Sequence, residues 1–174
     1  MCIRDSGGSV NDLSIVRSSC NLPILRKEFI VDIFQIYESK AIGSDAILLI
    51  ASCLKKDELK SFSKIANDLD LEVLLEIHTA EELDKIPAKN VSIIGVNNRN
   101  LNDFSVSIEN SIKISNYIPK NICKISESGI SNISSIKKLQ NIGYNGFLIG
   151  EHFMKSLNPE LTAHKFIQRL KNEN

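Results

Sequence analysis

The 174-residue sequence has little that would tie it to a membrane, a nucleic acid or an oxidising compartment. Its 21 basic and 21 acidic residues cancel and are spread along the chain, so no basic stripe or acidic tail offers an electrostatic surface. The longest apolar stretches, such as residues 46–51, fall far short of the roughly 20 residues a bilayer span needs. The apolar core of a secretory leader is also missing from the first residues. Cys2, Cys20, Cys53 and Cys123 form no Cys-x-x-Cys pair, and His78, His152 and His164 show no ligand spacing, so neither a disulfide framework nor a metal site is expected. These absences lead to the expectation of a cytoplasmic protein with no nucleic-acid, membrane or metal partner. The 43% of apolar residues is enough for one domain with a substantial core.

What is present is an alternation of two periodicities. Short β-rich apolar runs occupy residues 22–25, 46–50, 73–77, 92–96, 122–125 and 146–149. Between them, Leu59, Phe62, Ile65, Ala66 and Leu69 make a helical stripe, as do Ile133, Ile136, Leu139 and Ile142. Ile108, Ile112 and Ile114 suggest a third, and Phe34, Tyr37 and Ala41 are expected to pack as an ordinary helix face. Thr79-Ala80-Glu81-Glu82 fits a capping box, Gly43 and Gly143 fall where left-handed caps are needed, and Asn158-Pro159 opens the last helix. Asn90-Val91-Ser92 and Asn132-Ile133-Ser134 match a glycosylation pattern that a cytosolic chain does not use.

Strands that are continuously apolar are buried on both faces, which implies a parallel sheet covered by helices. An open doubly wound sheet and a closed (β/α)₈ barrel both satisfy that pattern. No G-x-G-x-x-G turn is present to support a dinucleotide fold. Polar residues instead gather just past the strand ends, where barrel enzymes keep their chemistry: Arg26-Lys27-Glu28, Glu76, Asn97-Asn98-Arg99, Ser126-Glu127-Ser128 and Gly150-Glu151.

Successive strand residues point to opposite faces. Leu25, Lys27 and Phe29 therefore share a face, as do Leu74 and Glu76, and Gly95, Asn97 and Arg99. One assignment brings an ammonium, a carboxylate, an amide and a guanidinium together, with Lys27 able to act as an acid near Arg99 and Glu76 as a base. A structural ion pair between Lys27 and Glu76 satisfies the same spacing. The glycines of Ser128-Gly129 and Gly150-Glu151 let backbone N–H groups approach an anion, and loops at these two barrel positions often hold a phosphate.

Five of these segments together resemble the indole-3-glycerol phosphate synthase family. They are Leu22-Pro23-Ile24-Leu25-Arg26-Lys27-Glu28-Phe29-Ile30, Glu72-Val73-Leu74-Leu75-Glu76-Ile77-His78, Ile94-Gly95-Val96-Asn97-Asn98-Arg99-Asn100-Leu101, Ser126-Glu127-Ser128-Gly129-Ile130 and Phe147-Leu148-Ile149-Gly150-Glu151. Their order and spacing match the family from about Gly7 to near the C-terminus. The resemblance implies closure of 1-(2-carboxyphenylamino)-1-deoxyribulose 5-phosphate to indole-3-glycerol phosphate, with loss of carbon dioxide and water and without cofactor or metal. It implies Lys27, Glu76 and Asn97 as catalytic residues, and Phe29, Arg99, Glu127, Ser128 and Leu148 as substrate-binding ones. Gly129, Gly150 and Glu151 are implied in phosphate binding, and another tryptophan-pathway domain is a possible fused partner.

The start departs from the family, whose helical extension and first two β–α units carry a further lysine, glutamate and serine. The expected fold is thus an α/β, partial (β/α)₈ TIM barrel holding strands 3 to 8, with residues 1–6 a non-native lead-in and 7–174 a single domain. With the strands at 24 and 148 left as apolar edges, the isolated chain is expected to self-associate and to be inactive. Phosphoribosylanthranilate isomerase is an alternative phosphate-binding barrel, disfavoured by the Leu-Arg-Lys-Glu-Phe run, and a non-catalytic assembly module is another.

Overall fold

Apolar runs become parallel strands in the structure, a computed structural model that describes residues 8–87, 89–101 and 103–173. The expected lead-in at 1–6 lies outside these residues. The described residues fall into two compact units divided between Ile94 and Gly95, within the fourth strand.

The first unit runs through α1 (Val10–Ser19), β1 (Leu25–Arg26), α2 (Ile33–Ala41), β2 (Ala46–Ile50), α3 (Lys56–Asp68), β3 (Glu72–Ile77), a 3₁₀ turn at Glu81–Lys85 and the opening of β4 (Ile93–Asn97). β1 pairs parallel with β2, and β2 parallel with β3, with Leu25 opposite Ala46, Ala46 opposite Glu72 and Ile50 opposite Glu76. Ile47, Leu48, Leu49, Leu75 and Ile77 are buried on both faces of these strands, as the continuous apolar runs require. Leu59, Phe62 and Ala66 place the α3 stripe in the same core.

β1 is shorter than the run at 22–25 predicts, for a local reason. Pro23 has no N–H to give a ladder, and the Leu22 carbonyl accepts from Arg17 Nη2 at 2.7 Å. Arg17 also bonds the Cys20 carbonyl and pairs with Asp45 at 2.8 Å, while Asp45 accepts from the Ile24 N–H at 2.7 Å. Gly43 has φ +91°, and an added Cβ would lie 2.9 Å from the Arg17 stem, so both backbone and packing demand glycine there.

Two expectations are corrected in this unit. Phe34 and Tyr37 are 70% and 51% exposed, because Ile36 and Ser39 form the inner face of α2. Ser39 is held there by the buried guanidinium of Arg26, which also bonds the Gln35 carbonyl and Glu38. After 79–80 the chain forms a 3₁₀ turn at Glu81–Lys85, and only half of the capping box forms. Glu82 accepts from the His78 and Thr79 N–H groups, while the Thr79 hydroxyl serves the Glu81 carboxylate instead of a free N–H.

The second unit holds the end of β4, then α4 (Glu109–Ile114), β5 (Cys123–Glu127), α5 (Ile133–Asn141), β6 (Gly146–Leu148), α6 (Glu151–Met154) and α7 (Pro159–Asn172). β4 neighbours β5, and β5 pairs parallel with β6, placing Glu127 opposite Leu148. Ile136 and Leu139 bury the α5 stripe. Asn132, part of the Asn-x-Ser pattern, caps α5 by accepting from the Ser135 N–H at 2.9 Å, and Asn158 caps α7 ahead of Pro159. Gly143 takes φ +94° after α5, as its place in the sequence predicts. Among the described residues no helix is long and apolar enough to cross a membrane.

Leu49 is fully buried, whereas Tyr37 is exposed. Leu49→Ala is expected to cost about 2–5 kcal/mol, and Tyr37→Ala no more than about 0.5 kcal/mol. Urea denaturation of both variants checks this, and equal losses would contradict the burial pattern.

Candidate active site

In the first unit the site is built by the alternation of side chains at the end of β1. Arg26 turns to α2 and is buried there, so the next residue, Lys27, turns the other way. The register places Lys27 one step beyond the Arg26–Ile47 pair, level with Leu48 and Leu74. Glu76 lies two residues further along β3, about 6.6 Å at the usual strand rise, a distance a lysine side chain can span. Lys27 Nζ lies 3.0 Å from Glu76 Oε2, with the lysine side chain 27% exposed and that of Glu76 5%. The ion pair foreseen in the sequence therefore forms, with its ammonium still reachable from solvent.

His78, two residues beyond Glu76 and of the same parity, brings Nε2 to 3.5 Å from Glu76 Oε1. Its backbone N–H serves the following turn through Glu82, and the imidazole contact with the carboxylate has no counterpart among the expectations from sequence. Strand parity was the signal available for it. Phe29, expected on the face of Lys27, is exposed. Glu28 turns back to accept from the Phe29 N–H.

In the second unit Asn97 ends β4, buried, with Oδ1 accepting from the Arg99 N–H at 2.9 Å. Arg99 then bridges to Val106 in antiparallel fashion and pairs through Nη2 with Glu151 Oε2 at 2.9 Å. The carboxylate of Glu151 is held below the usual range by Lys155 first and by Arg99 second. The Arg99 fork, expected to bind substrate, thus already faces a carboxylate. Glu151 in turn presents a negative side chain, so any help it gives a phosphate comes from its backbone.

Glu127 is buried at the end of β5, opposite Leu148, which is half-buried. Ser128 and Gly129 follow with φ +66° and +72°. Glycine takes that conformation freely, while for serine it costs on the order of 1–3 kcal/mol. A Cβ on Gly129 would also fall 2.3 Å from Val106 Cγ1. Gly150 has φ −118° and nothing within 4 Å of an added Cβ, so open space adjoins it.

Beneath this loop lies a polar cluster without an expected role. Asn98 Nδ2 donates to Ser126 Oγ and to the Ser128 carbonyl, both at 3.0 Å, and Asn98 Oδ1 accepts from the N–H and hydroxyl of Ser111. The Ser111 and Ser126 hydroxyls are 2.7 Å apart, and Tyr144 donates its hydroxyl proton to the Ser111 carbonyl at 2.8 Å. All four side chains are buried. The available signal was polar residues facing the helix layer, where Asn98 alternates with Asn97 and Ser126 with Glu127. Among the described residues no three His, Cys, Asp or Glu side chains converge as a metal centre.

Residues 6–166 match the family model of indole-3-glycerol phosphate synthase. The chain is 44% identical over 164 residues to the protein of that name from Bacteroides thetaiotaomicron, covering 94% of this chain and 63% of that one. Other relatives of the same name are covered to 57% and 58%, so the chain spans about three-fifths of their length. Among solved structures it resembles 3-hexulose-6-phosphate synthase from Salmonella typhimurium, with TM-score 0.79 and 15% identity over 96% of this chain and 82% of that one. It also resembles a chain of the tryptophan synthase a2b2 complex from Pyrococcus furiosus, with TM-score 0.67 and 18% identity over 94% and 70%. These likenesses show an α/β fold with TIM-barrel neighbours.

Burial pushes the Tyr144 hydroxyl from 10.0 up to about 12, with the Ser111 side chain opposing the shift. The unfolded chain releases that proton near 10 and the folded chain near 12, so stability present below pH 10 is lost as pH rises through this window. Tyr144→Phe is expected to cost about 1 kcal/mol at neutral pH through the lost hydrogen bond, and to flatten the alkaline decline. Urea midpoints from neutral to alkaline pH test this, and an unchanged alkaline slope would refute the assignment.

Proposed function

The chain belongs to the indole-3-glycerol phosphate synthase family, and we propose that it supplies the ring-closing chemistry of that activity. In this reading β1 to β6 are the third to eighth strands of an eight-stranded barrel. The substrate is 1-(2-carboxyphenylamino)-1-deoxyribulose 5-phosphate. The observation that supports the reading best is the Lys27–Glu76 pair, an accessible ammonium held 3.0 Å from a buried carboxylate across the ends of β1 and β3.

The ring carbon bearing the carboxylate attacks the ribulose carbonyl, forming the new C–C bond while the carbonyl π electrons move to oxygen. The Lys27 ammonium gives its proton to that oxygen, and the carboxylate of Glu76 stabilises and orients the ammonium beforehand. The C–COO⁻ bond then breaks, carbon dioxide leaves, and its electron pair returns to the ring system. Loss of the new hydroxyl as water, with removal of a neighbouring proton, completes the indole, and Glu76 takes acid–base duty in these steps.

Asn97 is the further catalytic residue of this reading. Arg99 receives the substrate carboxylate by exchanging it for Glu151, since one planar fork can hold either anion. Phe29 and Leu148 offer apolar contact, and Glu127 and Ser128 contact the substrate. The backbone at Gly129, Gly150 and Glu151 receives the phosphate. The reaction needs no metal or cofactor.

The test joins residues 7–174 to the first two β–α units of the Bacteroides relative and follows indoleglycerol phosphate fluorescence. Product is expected, with turnover falling about 10²–10⁴-fold in Lys27→Met, the usual contribution of a positioned acid. A folded fusion without turnover, or one indifferent to Lys27→Met, would overturn the proposal.

A further inference from the structure

We propose that Asn98 is a positioning residue that holds the Ser128–Gly129 loop in its left-handed conformation for anion binding. The inference rests on the phosphate-loop reading of that segment. Serine at φ +66° reverts to ordinary backbone unless its surroundings over-determine it. Asn98 Nδ2 supplies such a constraint by donating to the Ser128 carbonyl at 3.0 Å.

Asn98 can impose that geometry because it is itself fixed. Its other amide hydrogen goes to Ser126 Oγ, and its Oδ1 takes two bonds from Ser111. Its backbone N–H donates to the Glu127 carbonyl at 2.9 Å and its carbonyl accepts from Ser107. Both donors and the acceptor of the side chain are thereby used, and the amide has one orientation. α4, through Ser111, and the segment after α5, through Tyr144, brace it from behind. The neighbouring Asn97 and Glu127 project from the same strand ends with opposite parity, so Asn98 needs no contact with substrate to act.

The experiment uses the 174-residue chain labelled for amide NMR, with inorganic phosphate as the probe. Exchange rates and phosphate-induced shifts are compared for the wild type, Asn98→Ala and Ser111→Ala. In Asn98→Ala, faster exchange confined to residues 127–130 is expected, with phosphate affinity at Gly129 about tenfold weaker, the factor one buried hydrogen bond is worth. Unchanged exchange at Ser128 and Gly129 would overturn the proposal, and so would a uniform rise across the whole second unit, which marks a merely structural residue. If phosphate leaves Gly129 of the wild type unmoved while the local exchange still rises in Asn98→Ala, positioning holds and the phosphate reading falls. Should Asn98→Ala fail to fold, Ser111→Ala decides the matter. It removes the hydroxyl's bond to Oδ1 and its contact with Ser126 but keeps the Ser111 N–H bond to Oδ1 and both bonds from Asn98 Nδ2, so a smaller rise at the same residues supports the proposal and none refutes it.

Discussion

Alternation of side chains at the ends of parallel strands is the constraint on which the chemistry of this chain depends. A parallel strand under helices has one face for the helix layer and one for the opposite side, and adjacent residues cannot share a face. At the end of β1 the alternation sends Arg26 to α2 and Lys27 to Glu76. At the ends of β4 and β5 it sends Asn98 and Ser126 to Ser111 on α4, leaving Asn97 and Glu127 with the opposite parity. Lys27, Asn97 and Glu127 thus each have a neighbour in sequence that anchors the strand end. A one-residue slip would exchange the two roles and bury a lysine in place of Arg26.

The charges at these ends come already paired, which shapes what the site can do. Burying a carboxylate as fully as Glu76 is tolerable when a cation and hydrogen bonds accompany it. Lys27 meets that need from a position still open to solvent, so the pair is a structural solution that leaves the ammonium open to the proton-donating role proposed for it. The sequence left these two interpretations as alternatives, but the geometry makes them compatible. Arg99 and Glu151 differ, being more exposed and sharing Lys155, so their pairing is weaker and exchangeable.

The sequence revealed most where a single local rule decides the outcome. β2 follows its apolar run residue for residue, and Gly43, Gly143 and Asn158 cap helices as their types require. It failed where a long-range contact overrode the rule. β1 gives up residues 22–24 because Arg17, from α1, claims the Leu22 carbonyl. α2 turns Phe34 and Tyr37 outward because Arg26 needs Ser39 on the inner face. Within the candidate site, parity was enough to find Lys27 and Glu76, whereas the Asn98 cluster draws on three separate elements and no spacing in the sequence marks it.

Three small residues in the proposed anion loops show why residue type alone reads function poorly. Gly129 is glycine because its φ is positive and Val106 fills the place of a Cβ. Gly150 has neither reason, since its backbone is ordinary and the space beside it is open. Ser128 has the conformation of a glycine without being one, and its stability is borrowed from Asn98. Gly150 serves as the N-cap of α6, a position that favours glycine, and its open side is the space into which the proposed phosphate would approach the backbone. Where the fold holds a serine against its preference, the cost of that strain is a device for fixing a backbone segment in advance of its ligand. The same loops therefore combine intrinsic permissiveness with imposed geometry, and the imposed part is the one a substitution at a distance can remove.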